Sequence, residues 1–317
     1  MISVNRETMK LVRRVIDEAD RLDAAVSRLP CGATVIDMGV NRNGGWEAGR
    51  LFSEMTMGAL GAASLGQFKL GDVDLPSISV HLDQPLIATF GCQIAGWQVS
   101  SGAFSVIGSG PARAQARLGS DSYVHYIDYR DNNDEVVLCL QMDSLPTDDV
   151  AVSVAEACGT TPDKVYLPVA SNTSITTSVQ VSARSVEQTI HRLQEEGFPI
   201  DSILWAWGTA PIAPVADDKL KTMGRINDVL LYGGVSDFWV RTTDEACERV
   251  IGRIVSEAAS SQPKPFAEIF VEHNRDFYQI PHNIHSPARV HLHNLTTGRS
   301  FAAGHVNHDL LRESLLK

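Results

Sequence analysis

Cysteine is scarce in this chain. Five cysteines in 317 residues, at positions 31, 92, 139, 158 and 247, are far apart and odd in number. None forms a C-x-x-C pair, so reduced thiols in a cytoplasmic protein are expected, with the cysteines as buried filler. Long apolar runs are missing as well. None approaches the length that crosses a bilayer. The opening stretch MISVNRETMKLVRRVIDEADRL is charged throughout and lacks the apolar core of a signal peptide. Basic charge is in deficit, with 27 Lys and Arg against 38 Asp and Glu and a formal net charge of −11. That balance argues against nucleic acid or an anionic membrane as a partner, and it is compatible with a cationic substrate. Nucleotide-binding motifs are incomplete: GSGPAR (108–113) has arginine where the third glycine of G-x-G-x-x-G belongs, and no G-x-x-x-x-G-K occurs. A dehydrogenase or a kinase is therefore unsupported.

What is present is ordinary for a soluble globular protein: 44% hydrophobic and 21% charged residues. Apolar periodicity predicts a first helix over about 5–29, a strand at 33–40, and a second helix from Trp46 after the turn NRNGG. Short β-rich runs follow at 77–82, 86–97, 104–108, 123–129 and 135–142. Beyond LPTDD the pattern becomes strand–helix alternation. Helices are expected over about 148–158 and 243–259, and strands at 164–170, 174–182, 203–207 and 288–294. A short helix from Asp309 closes the pattern. The fold class is thus α/β (α+β), in two domains over 1–145 and 146–317, with 266–317 packing back on the first. SSQPKP (260–265) is the one plausible hinge.

Chemistry-bearing residues cluster in a few places. In TSVQVSARSVEQTIHRL (177–193), Arg184, Glu187 and His191 fall on one helical stripe, beside the apolar stripe Val186, Ile190 and Leu193. A cation in the first turn opposes the helix dipole, and most such pairs are surface decoration. Two strand exits, GSGPARA (108–114) and GTAPIAP (208–214), offer glycine and backbone N–H groups as walls of a cleft. Ser109, Gly110, Arg113 and Thr209 are the candidate contacts there. MGRINDVLLYGG (223–234) sets Arg225, Asn227 and Asp228 beside an apolar run, as caps or as ligand contacts. His291 and His293 share one face of a strand, as two metal ligands would, but no acidic third ligand stands at an expected spacing.

Taken together, these segments resemble the methenyltetrahydromethanopterin cyclohydrolase family. The similarity rests on IDMGVNRNGGWEAGRLFSE (36–54), QIAGWQV (93–99), GSGPARA and SVQVSARSVE (178–187). It continues through WGTAPIAPVADDKLKTMGRINDVLLYGG (207–234), KPFAEIF (264–270), DFYQI (276–280) and SPARVHLHNLTTG (286–298). The resemblance implies two domains of mixed sheets and helices flanking a large interdomain cleft, and a cytoplasmic homotrimer. It implies interconversion of N5,N10-methenyl-tetrahydromethanopterin and the N5-formyl form by adding or removing water, with no metal or organic cofactor, the pterin carrier being the substrate. In the S-A-R-x-x-E motif it assigns catalysis to Arg184 and Glu187. Two alternatives stand beside it: a catalytically silent pterin-binding relative, and a metal-dependent hydrolase using the C-terminal histidines.

Overall fold

A computed structural model describes residues 2–101, 104–259, 263–276 and 279–317. The expected hinge falls largely on 260–262, and Phe277 and Tyr278 of DFYQI also lie outside the described residues. The chain forms two compact units, Met1–Ala62 with Leu86–Gln180, and Ala63–Pro85 with Val181–Lys317. The division expected at 145/146 falls inside the first unit, and 266–317 belongs to the second. Long-range strand pairing sets these limits.

The first unit is a mixed sheet between helices. Its strands are β1 (Ala25–Arg28), β2 (Thr34–Asp37), β5 (Trp97–Ser101), β6 (Phe104–Ser109), β7 (Val136–Val137), β8 (Cys139–Gln141) and β9 (Val165–Ala170), in the order β1-β2-β9-β8-β6-β5, with β7 also on β9. Strand β9 runs parallel to β2 and β8, while β1, β5 and β6 pair antiparallel with their neighbours. One face packs Val35, Leu138 and Leu167 against Val150, Ala151 and Val154 of α4 (Asp148–Cys158). The other packs Ile36, Val137 and Cys139 against α1 (Val4–Asp17) and α2 (Trp46–Thr56). Both faces are covered, which is why all four residues of β2 are buried, Thr34 and Asp37 included.

The second unit's sheet runs β13-β12-β11-β10-β4-β3, comprising β3 (Gly61–Leu70), β4 (Val73–Leu82), β10 (Ile203–Pro211), β11 (Val235–Val240), β12 (Arg289–Asn294) and β13 (Ser300–Gly304). Helix α6 (Ser185–Glu195) packs on β10 and β11. Helices α7 (Lys219–Gly233), α9 (Phe266–Glu272) and α10 (His308–Leu316) enclose a separate cluster around Val229, Phe266 and Leu311. Among the described residues, no helix is long and apolar enough to cross a membrane.

Several expected elements differ. The first helix stops at Asp17, and Asp23, at φ 44°, turns the chain into edge strand β1. Residues 87–93 wind into a π-helix and 123–126 into a 3-10 turn, not strands. Apolar content alone does not separate a short strand from a buried helix. The segment 174–182, rich in β-branched residues, is helix α5 (Ile175–Ser182). Ser174 caps it, its Oγ accepting from the Thr177 N–H at 3.1 Å. Helix α8 (Asp244–Ile251) ends before Gly252, short of the expected 259.

Candidate active site

Helix α6 begins immediately after α5, with Arg184 as its N-cap residue. Val186, Ile190 and Leu193 are fully buried, and Thr189 anchors the same side by donating to Ser236 Oγ on β11 at 3.1 Å. Gly208 on β10 lets the helix come close: a Cβ built there would stand 2.3 Å from Ser185 Oγ and 2.7 Å from Val186 Cγ2. Only glycine permits that approach. The strand and helix together therefore fix where the first turn of α6 lies.

Arg184 Nη1 donates to Glu187 Oε2 at 3.3 Å, and the two side chains are only 13% and 15% exposed. This is not a solvated surface pair. Glu187 Oε1 makes no hydrogen bond among the described residues. A carboxylate with one oxygen steadied by a guanidinium and the other open can accept a proton from water and return it. Two buried polar atoms in the same turn have no hydrogen-bond partner among the described residues, Ser185 Oγ and Gln188 Oε1. Leaving such an atom unpaired costs about 1–3 kcal/mol. Sequence reasoning passed over Gln188, because nothing in its spacing reveals an unsatisfied amide.

The other candidates are placed as follows. Ser109 ends β6, and Gly110, at φ 114°, donates its N–H to Cys92 O before α3 (Ala112–Ala116). Arg113 is fully enclosed and donates twice to Asp121, at 2.7 and 2.8 Å, and once to Cys92 O. Its guanidinium holds the fold together. Thr209 lies within β10, which extends through Pro211, so GTAPIAP is mostly strand and not an exit turn; the Thr209 hydroxyl donates to Ile78 O and accepts from Ser79 Oγ.

Arg225, Asn227 and Asp228 lie on α7, an element that the sequence reading left unassigned. Arg225 donates to Ser314 O and Pro214 O, and Asn227 to Met223 O. Asp228, 1% exposed, accepts from the Phe266 N–H at 2.8 Å and from Ser314 Oγ at 2.5 Å. Burial pushes its carboxyl up to about 7; Glu268 adds repulsion, while the two hydrogen bonds pull the other way. Asp228 thus ties α7 to α9 and α10 and Arg225 ties it to α10, while Asn227 bonds back within α7.

His291 and His293 do share a face. Both ring systems meet the Asp237 carboxylate, at 2.9 and 3.2 Å, and His293 stacks on Trp239. Among the described residues, no group of three His, Cys, Asp or Glu side chains is arranged to hold a metal ion.

An α/β chain with a shielded Arg–Glu pair at a helix start has the equipment of a hydrolase working by proton transfer. Comparison with known proteins makes the class specific: the chain belongs to the Cyclohydrolase (MCH) family, which it matches over residues 3–315. It is 40% identical over 320 residues to the methenyltetrahydromethanopterin cyclohydrolase of Methanothermobacter marburgensis, covering 99% of each chain. Identity is 37% over 319 residues to the protein of that name from Methanocaldococcus jannaschii, covering 99% of this chain and 98% of the other. The Methanococcus maripaludis protein is 40% identical over 321 residues, with the same coverage.

Proposed function

We propose that this chain adds water to N5,N10-methenyl-tetrahydromethanopterin to give the N5-formyl form, and catalyses the reverse reaction. The observation that carries the reading is the Arg184–Glu187 pair, shielded from solvent and preceded by Ala183 in the S-A-R-x-x-E pattern. The substrate's bridge is an amidinium cation, so its carbon is electrophilic without a metal or organic cofactor. What it lacks is a nucleophile at neutral pH. Glu187 takes a proton from the attacking water, and the tetrahedral adduct forms. Glu187 then gives that proton to N10, the C–N10 bond breaks, and the remaining hydroxyl proton leaves as the formyl C=O forms. The balance is one water consumed and one proton released.

Arg184 holds the carboxylate in one orientation and offsets the cost of shielding it. The family resemblance supports a homotrimer, and five free cysteines agree with a cytoplasmic location. Light scattering on purified protein tests the first of these.

The deciding experiment follows the ultraviolet absorbance of the methenyl pterin on mixing with the protein, with the methenyl folate as control. Turnover of the pterin is expected, with much lower catalytic efficiency on the folate, because mismatched contacts weaken transition-state binding. Comparable efficiency on both would overturn the substrate assignment. Binding without turnover would identify a silent relative.

A further inference from the structure

We infer that the open face of the second unit's sheet is an interface with a second copy of this chain. The inference gives the assembly expected above its contact surface, and it is independent of the catalytic reading. Side chains alternate along these strands. Ala206, Phe238, Val240 and Leu292 point to the side where α6 and α8 pack, and they are buried. The residues between them point the other way. There Trp205 and Trp207 on β10 remain 45% and 44% exposed. Register sets Trp205 beside Trp239, and Trp207 between His81 of β4 and Asp237 of β11. His81 stacks on Trp207 with ring centroids 5.4 Å apart, and His293 of β12 stacks on Trp239 at 5.0 Å. Three of the chain's five tryptophans thus share one side of one sheet. A lone chain gains nothing by leaving such a group half in water.

Charge, relief and area point to a copy as the occupant. Where the strands pair, the charged side chains on this side, among the described residues, are Asp237 and Arg289, one of each sign. Asp237 Oδ1 is already met by His291 Nδ1 and His293 Nε2, at 2.9 and 3.2 Å. Nucleic acid or an anionic membrane needs cations here, and a basic protein drawn to a chain of net charge −11 needs free carboxylates. The face supplies neither. Two copies repel each other over most of their surface, and this charge-poor patch is where they meet without that penalty. Enrichment in tryptophan with depletion of Lys and Glu also marks an interface core. The Trp205–Trp207 ridge stands three strands away from a floor of small residues, Ser300 and Ala302 on β13. Ridge and floor are different patches, so one copy's tryptophans seat on the next copy's floor, and such head-to-tail contacts close into a ring. Six strands of five to ten residues, about 4.8 Å apart, give the face roughly 700 Å². A standard interface takes about 800 Å² from each partner.

Sedimentation of the full-length protein over a dilution series tests this, with three variants beside the parent. Trp207→Glu puts a carboxylate on the ridge of every copy, and Ala302→Arg puts a bulky cation on the floor. Val271→Glu, at an exposed apolar position on α9, adds the same charge away from the sheet. The parent is expected to sediment as a multiple of one chain. Trp207→Glu and Ala302→Arg are each expected to raise the dissociation constant at least about 30-fold, the loss typical of a spoiled hot spot, with far-ultraviolet circular dichroism unchanged. Val271→Glu is expected to keep the parent's mass. Dilution of the parent should also shift its tryptophan emission to the red as the ridge meets water. Either sheet variant suffices if the other does not fold. A monomeric parent overturns the inference, and so does a folded sheet variant that keeps the parent's mass and dilution curve. Dissociation of Val271→Glu with intact sheet variants moves the interface to another side of the molecule and overturns it too. Turnover of the methenyl pterin is read on the parent alone; its failure bears on Arg184 and Glu187, and the sedimentation result stands apart from it.

Discussion

Arg184 sits at the N-cap of α6, where a cation works against the helix dipole at a cost of about 0.3–1 kcal/mol. An exposed i, i+3 pair returns only about 0.2–0.5 kcal/mol, so stability alone does not account for the arginine. Shielding changes the balance, since a carboxylate mostly removed from water needs a partner. Glu187→Gln keeps size and much of the hydrogen bonding but removes basicity. It is expected to lower turnover about 10²–10⁴-fold with substrate binding retained. Arg184→Ala should be severely impaired too, and the double variant little worse than the worse single, because the residues act as a unit. Steady-state and single-turnover kinetics check this; additive losses would show independent roles. The pair was legible in the sequence because i, i+3 spacing is local and any helix brings the two together. Gln188 was not, since an orphaned amide is defined by everything around it.

Elements were read well where burial is one-sided or continuous, as in α4 and β9, and poorly where turn or cap geometry decides. The β-branched run that forms α5 has strand propensity, but the Ser174 cap and tertiary packing prevail. GTAPIAP was read as a cleft-lining turn on the strength of its glycine and prolines, and Gly208 turns out to be a contact point between β10 and α6. Gly208→Ala therefore has to push α6 away or bend β10, an overpacking cost of about 1–3 kcal/mol. Because α6 carries Arg184 and Glu187, turnover should fall together with the melting temperature. Thermal unfolding and kinetics on one preparation check this. Unchanged stability with lost turnover would instead mean that the Gly208 backbone faces the substrate.

Across the whole molecule, the division into units was the least legible feature. Residues 63–85 leave the first unit's chain segment to complete the second unit's sheet, with β4 pairing along β10 from Ser77–Pro211 to Leu82–Ala206. Composition carries no mark of such a long-range exchange. The same long-range character governs how stability responds to pH. Asp228 draws α7 to the start of α9 and to Ser314 on α10, and its carboxyl is pushed from 3.8 up to about 7, chiefly by burial.

Between those two values the unfolded chain releases the proton while the folded protein keeps it. The folded state therefore binds more protons in this window, and stability falls as pH rises from about 4 to about 7, then levels off. Asp228→Asn retains the shape, an acceptor for the Phe266 N–H, and an amide that can donate to Ser314 Oγ, but it does not ionise. The variant is expected to match the parent or unfold slightly below it at pH 5, and to unfold above it at pH 8.5. Thermal unfolding of both proteins across that range checks the crossing of the two curves; parallel curves would mean that Asp228 does not titrate here. Turnover of the variant should stay close to the parent's, because both carboxylate oxygens already face protein. Lost turnover in a well-folded variant would instead place Asp228 against the pterin, as its neighbourhood in the sequence first suggested.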